Sequence, residues 1–72
     1  MMYPNPAKTT INISANDELK RVQILGQLGR VLIEQNVSGK VSHINISHLK
    51  QGSYFVKINS MAGESIQKLI ID

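Results

Sequence analysis

Leu49-Lys50-Gln51-Gly52-Ser53-Tyr54-Phe55-Val56-Lys57-Ile58 is the stretch that decides the fold. Tyr54, Val56 and Ile58 alternate with Phe55 and Lys57, the period-two pattern of a strand with one face in a core. Gly52 stands just before this run, where the chain must bend and a Cβ would hinder it. Tyr54 falls two residues after the bend. Its ring offers core area, and its hydroxyl needs a partner. A tyrosine so placed can hydrogen-bond back onto the preceding turn and pin the corner. The sequence therefore assigns Leu49 to the close of one strand, Gly52 to the bend and Tyr54 to a clamp.

The same period extends outward in both directions. Ile11 and Ile13 alternate with polar residues, as do Val22 and Ile24 and Ile44 and Ile46, while Val31 and Ile33 alternate with Arg30, Leu32 and Glu34. Near the end, Leu69 and Ile71 share one phase and Ile66 and Ile70 the other. That mixture predicts a strand partly buried on both faces, or a bulge. Turn residues separate the runs: Ala15 to Glu18, Gly26 to Gly29, Asn36 to Lys40, and Ala62-Gly63. Gly29 is placed for a positive φ in a hairpin. Between Asp17 and Gln35 a helical spacing passes through Leu19, Val22 and Leu25, but two glycines and the β-branched content oppose a helix. Strands recurring at about ten-residue spacing predict an all-β fold. The expected architecture is a small immunoglobulin-like antiparallel β-sandwich of about seven strands.

Composition narrows the function. Seventy-two residues allow one domain with a thin core. Cysteine is absent, so no disulfide, thiolate nucleophile or thiolate metal ligand is available. The net charge is +3, but only Lys20 and Arg21 are adjacent among the cations and the aromatics number three. A nucleic-acid binder would line its cations along a stripe with aromatics between them. His43 and His48 have no carboxylate spacing that suggests a metal site, and no nucleophile motif or phosphate loop occurs. The expectation is a non-enzyme with no cofactor and no bound metal. No segment approaches the ~18 apolar residues of a membrane-spanning helix, and the first residues are not a signal peptide. The chain opens almost at once onto a strand and finishes on the apolar Lys68-Leu69-Ile70-Ile71-Asp72. Residues 1–72 thus read as one module from the C-terminus of a longer protein, whose export signal, if it is exported, lies upstream.

Four stretches, in order, resemble the C-terminal sorting domain of type IX secretion substrates (the Por secretion system, type A). Tyr3-Pro4-Asn5-Pro6 resembles the opening Y-P-N-P of that family. Leu28-Gly29-Arg30-Val31 resembles its L-G-[KR]-V after a strand and turn. Ile44 to Ile58 resembles its I-x-[IV]-x-x-L-x-x-G-x-Y-[FLV]-[VI]-x-[IV] segment, with Leu49, Gly52 and Tyr54 in place. Lys68-Leu69-Ile70-Ile71 resembles its closing K-[LIF]-[VI]-[VI]. Gly26 departs from the polar turn residue usual in the family. The resemblance implies a β-sandwich that directs an upstream cargo from the periplasm through the outer-membrane type IX translocon to the cell surface or the medium. It implies an outer-membrane shuttle protein and a sortase-like cysteine protease as partners, with Lys68, Leu69, Ile70 and Ile71 as the recognition residues. A terminal strand with open backbone groups suits strand addition by a receptor, with Lys68 meeting a carboxylate and Leu69 or Ile71 filling a pocket. Pro4 and Pro6 are expected to cap the sandwich or stiffen the junction to cargo. Exposed edges also leave room for an edge-paired or strand-swapped dimer. The competing reading is an immunoglobulin-like accessory module that binds carbohydrate or packs on a catalytic domain. Phe55 is its only candidate aromatic platform.

Overall fold

A computed structural model describes residues 1–72 and contains no helix. Seven strands follow in order: β1 (Met2–Tyr3), β2 (Thr10–Ser14), β3 (Leu19–Leu25), β4 (Val31–Asn36), β5 (Val41–Asn45), β6 (Gly52–Ser60) and β7 (Gly63–Ile71). They form two antiparallel sheets, β1-β2-β5 and β4-β3-β6-β7. The chain enters the second sheet at β3, leaves it at β5 and returns at β6. This is the Greek-key connectivity of an immunoglobulin-like sandwich whose fourth strand has joined the larger sheet.

The inward phase of every long strand meets in one core. Ile11, Ile13, Ile44 and Ile46 come from the smaller sheet or its margin. Leu19, Val22, Ile24, Tyr54, Val56, Ile58, Leu69 and Ile71 come from the larger. These β-branched and leucine side chains suit a pleated, half-buried surface. Their burial is the main stabilising term for so small a domain.

Two local expectations differ from the structure, and an alternative left open for β7 is decided. First, β5 ends at Asn45, so Leu49 does not close a strand. The Asn45 side-chain oxygen accepts bonds from the Ser47 amide at 2.8 Å and hydroxyl at 2.7 Å. That local turn competes with the ladder and ends it. Leu49 follows in the loop and packs partly buried against the core. Second, Val31 does not share the inward face with Ile33. A register shift opposite Ile24 and Leu25 sets Ile33 against Ile24 but Val31 against Leu25. Leu32 is the extra residue of this bulge, which turns Val31 outward. In β7, of the bulge and the strand partly buried on both faces, the structure has the second: Leu69 and Ile71 are buried on one face and Ile70 is half-buried on the other. The strand pairs with β6 residue for residue from Gly63 to Ile71, so its two apolar phases lie on opposite faces.

The N-terminal segment changes sheets. Met2 and Tyr3 pair with Ile13 and Asn12 of β2. After Tyr3-Pro4-Asn5-Pro6, Ala7 makes a parallel bridge to Ile71 on the outer edge of β7. Both prolyl bonds, Tyr3–Pro4 and Asn5–Pro6, are cis. Proline has no amide to give a ladder, so the motif falls where neither sheet requires one. The prolines thus occupy the crossing between sheets.

Candidate functional site

The sequence nominates Lys68, Leu69, Ile70 and Ile71, and their surroundings follow from the register of β7. Leu69 and Ile71 point inward and are fully or almost fully buried. Lys68 and Ile70 point outward, opposite Phe55 and Ser53 of β6. Lys68 is exposed and makes no ion pair, whereas Ile70 is half-buried. In the folded domain Leu69 and Ile71 therefore anchor the strand and are not free to fill a receptor pocket.

The backbone edge of this strand is also not open as expected. The Asn5 carboxamide donates to the Lys68 carbonyl at 2.9 Å. Its oxygen accepts from the Ile70 amide at 3.0 Å. The Ala7 amide donates to the Ile70 carbonyl, and the Asp72 amide donates to the Ala7 carbonyl, both at 2.8 Å. Asn5 thus presents one donor and one acceptor as a neighbouring strand would, and Ala7 continues the pairing with its own backbone. The edge from the Lys68 carbonyl to the Asp72 amide is satisfied within the chain. By the alternation of an antiparallel strand, the backbone groups of Glu64 and Ile66 face the still-uncovered part of that edge. Sequence reasoning placed Asn5 in this structural motif but argued a role only for the prolines and did not foresee its bonds to β7. The available signal was an amide side chain held between two residues that lack N–H donors.

The corner is built from the other nominated residues. Gly52 opens β6 at φ +152, a conformation that residues with a Cβ rarely adopt. Tyr54 lies against the core, and its hydroxyl donates to the Lys50 carbonyl four residues back. This ties the loop after β5 to the start of β6. The β3–β4 hairpin closes at the same end of the sheet. There the Gly26 amide donates to the Arg30 carbonyl at 2.8 Å, and Gly29 sits at φ +83. The fold therefore gathers the Gly29 hairpin, the Leu49–Tyr54 corner, the prolyl crossing and the chain end at one pole. Met1 lies at the other pole, its carbonyl accepting from the Ser14 amide.

Both poles carry charges of either sign. Lys8, Arg30, Lys50 and Lys68 belong to the pole of the chain end together with Asp72, and the opposite pole mixes Asp17, Glu18 and Glu64 with Lys20, Arg21 and Lys40. Two ion pairs form, Arg21–Glu34 at 3.9 Å and Lys57–Glu64 at 3.5 Å. No group of three or more His, Asp or Glu side chains converges as a metal site would require. No helix is long and apolar enough to cross a membrane. On the outer face of the smaller sheet, His43 Nδ1 lies within hydrogen-bond reach of Asn12 Oδ1.

Comparison with known proteins gives two findings. The model of the secretion system C-terminal sorting domain matches residues 1–72. The chain is also 30% identical over 70 residues to Beta-agarase D of Zobellia galactanivorans. That match takes in 97% of this chain but 14% of the agarase, at the agarase's C-terminal end. The family match runs from end to end of the chain. The chain belongs to the secretion system C-terminal sorting domain family, a non-catalytic tail by which the type IX machinery carries secreted proteins across the outer membrane.

Proposed function

We propose that residues 1–72 act as one signal unit behind an upstream cargo and that the translocon reads the unit at its last strand. Lys68 is the direct contact, meeting a carboxylate of the machinery. Ile70 and the chain end lie beside it. Leu69 and Ile71 act from inside, holding Lys68 at a fixed height on the sheet. The observation that carries this reading is an exposed, unpaired lysine on a strand locked by the core on one side and by Asn5 and Ala7 along its edge. Surface charges without a structural partner contribute little to stability, which leaves Lys68 free for recognition. In this scheme an outer-membrane shuttle protein takes the folded domain after cargo export to the periplasm. A sortase-like cysteine protease then cuts on its N-terminal side, and the cargo stays at the surface or enters the medium.

A sorting assay tests the reading. Residues 1–72 are fused behind an exported fluorescent reporter in a type IX-competent bacterium, beside fusions carrying Lys68→Glu or lacking Lys68 to Asp72. The parent fusion is expected at the surface or in the medium, and both variants in the periplasm. Surface delivery of the Lys68→Glu fusion at the parent level would remove Lys68 from the recognition site. Retention of the parent despite a folded domain would favour the accessory-module reading.

A further inference from the structure

The outer face of the larger sheet, the one turned away from the core, carries an apolar patch that neither the core nor the ion pairs use. Register builds it in two rows. Val31, Leu25, Phe55 and Lys68 lie side by side across all four strands. Glu34, Gln23, Lys57 and Ile66 form the row behind. Ile66 is 62% exposed, Val31 44% and Phe55 41%. Between them lies a depression of about 340 Å³ lined by Leu25, Gln27, Gly29, Phe55, Lys57 and Ile66. Single exposed apolar residues need no explanation, but a contiguous set with a hollow at its centre marks an interaction surface.

The surrounding charge selects the occupant. Glu34 is engaged by Arg21 and by Gln23, whose side-chain nitrogen donates to it at 2.8 Å. Glu64 is engaged by Lys57. Lys68 and Arg30, at the patch margin, have no acidic partner. The rim is therefore net positive. A second copy of the chain docked face to face by a two-fold would bring this positive rim against itself, and like charges across an interface are costly. We propose that this face docks a protein of the secretion machinery that inserts an apolar side chain between Phe55 and Ile66 and surrounds it with carboxylates that meet Lys68 and Arg30. The inference rests on the sorting reading and adds a sheet face to the terminal strand.

The reporter fusion tests it with single variants. Ile66→Ser, Phe55→Ser and Arg30→Glu are each expected to lower surface delivery by about tenfold, the scale of losing one anchor of an interface. Ile66→Leu should restore delivery. Val41→Ser, equally exposed but on the smaller sheet, should deliver at the parent level. None of the three substitutions removes a core residue. Thermal melts of the three purified variants separate misfolding from lost docking. A photo-crosslinker at position 66 should capture a protein through a segment rich in Asp and Glu, and Lys68→Glu should abolish the adduct. Normal delivery of all three variants, or an adduct to lipid or to a basic segment, overturns this surface while leaving the sorting reading intact. Retention of the parent fusion overturns both.

Discussion

Asn5 does with one side chain what a strand does with a peptide unit: it gives a hydrogen to Lys68 and takes one from Ile70. Replacing it with alanine removes both bonds and should cost about 1 kcal/mol, since the site is exposed and water substitutes in part. Urea titration of the purified domain reads this as a lower midpoint with an unchanged slope. Asn5→Asp keeps the acceptor for the Ile70 amide but sets an oxygen against the Lys68 carbonyl, so it should be no more stable than the alanine variant. At the corner, Tyr54→Phe leaves the ring in the core and removes the bond to the Lys50 carbonyl, again at a cost of about 1 kcal/mol. The two residues were not equally legible. Tyr54 finds its partner four residues away, and the motif that announces it is local. Asn5 reaches across 63 and 65 residues, and no local pattern encodes such a contact.

At the scale of elements, hairpins and strands make separable demands. Gly29→Ala forces a Cβ onto a backbone at φ +83 and should destabilise the β3–β4 hairpin by about 1–2 kcal/mol. Gly26→Ala meets nothing closer than Leu32 Cδ1 at 3.6 Å, so it should fall within about 0.5 kcal/mol of the parent. A pair of thermal melts distinguishes the two glycines. On β7, Leu69→Ala opens a cavity under the terminal strand and should cost about 2–5 kcal/mol. Alternation identified the strands because most keep one face in the core along their length. It misassigned Val31 because a bulge changes the face without changing the spacing of apolar residues. It also left the phase of β7 ambiguous, because Ile66 and Ile70 on its outer face are as apolar as its core residues.

For the whole molecule, a chain of 72 residues is expected to hold only about 4–10 kcal/mol of stability, so the loss at Leu69 alone approaches the lower bound. Hydrogen exchange should show how the remainder is distributed. β6 lies between β3 and β7, and its amides should exchange slowest. β4 is an edge strand with nearly every residue exposed, and its amides should exchange first. The sandwich and its strand number were legible because turn residues and period-two runs are short-range signals. The change of sheet at Tyr3–Ala7 and the pole that collects the motifs arise from pairing between distant segments, which periodicity does not record. The parallel pairing of Ala7 with Ile71 also has a mechanical consequence. A pull at the N-terminus and a grip on the C-terminus act at opposite poles and in opposite directions. The bonds that fasten Asn5 and Ala7 to β7 are then loaded together in shear along the strand, instead of being peeled one after another. The domain should act as a grip that resists tension between its two ends.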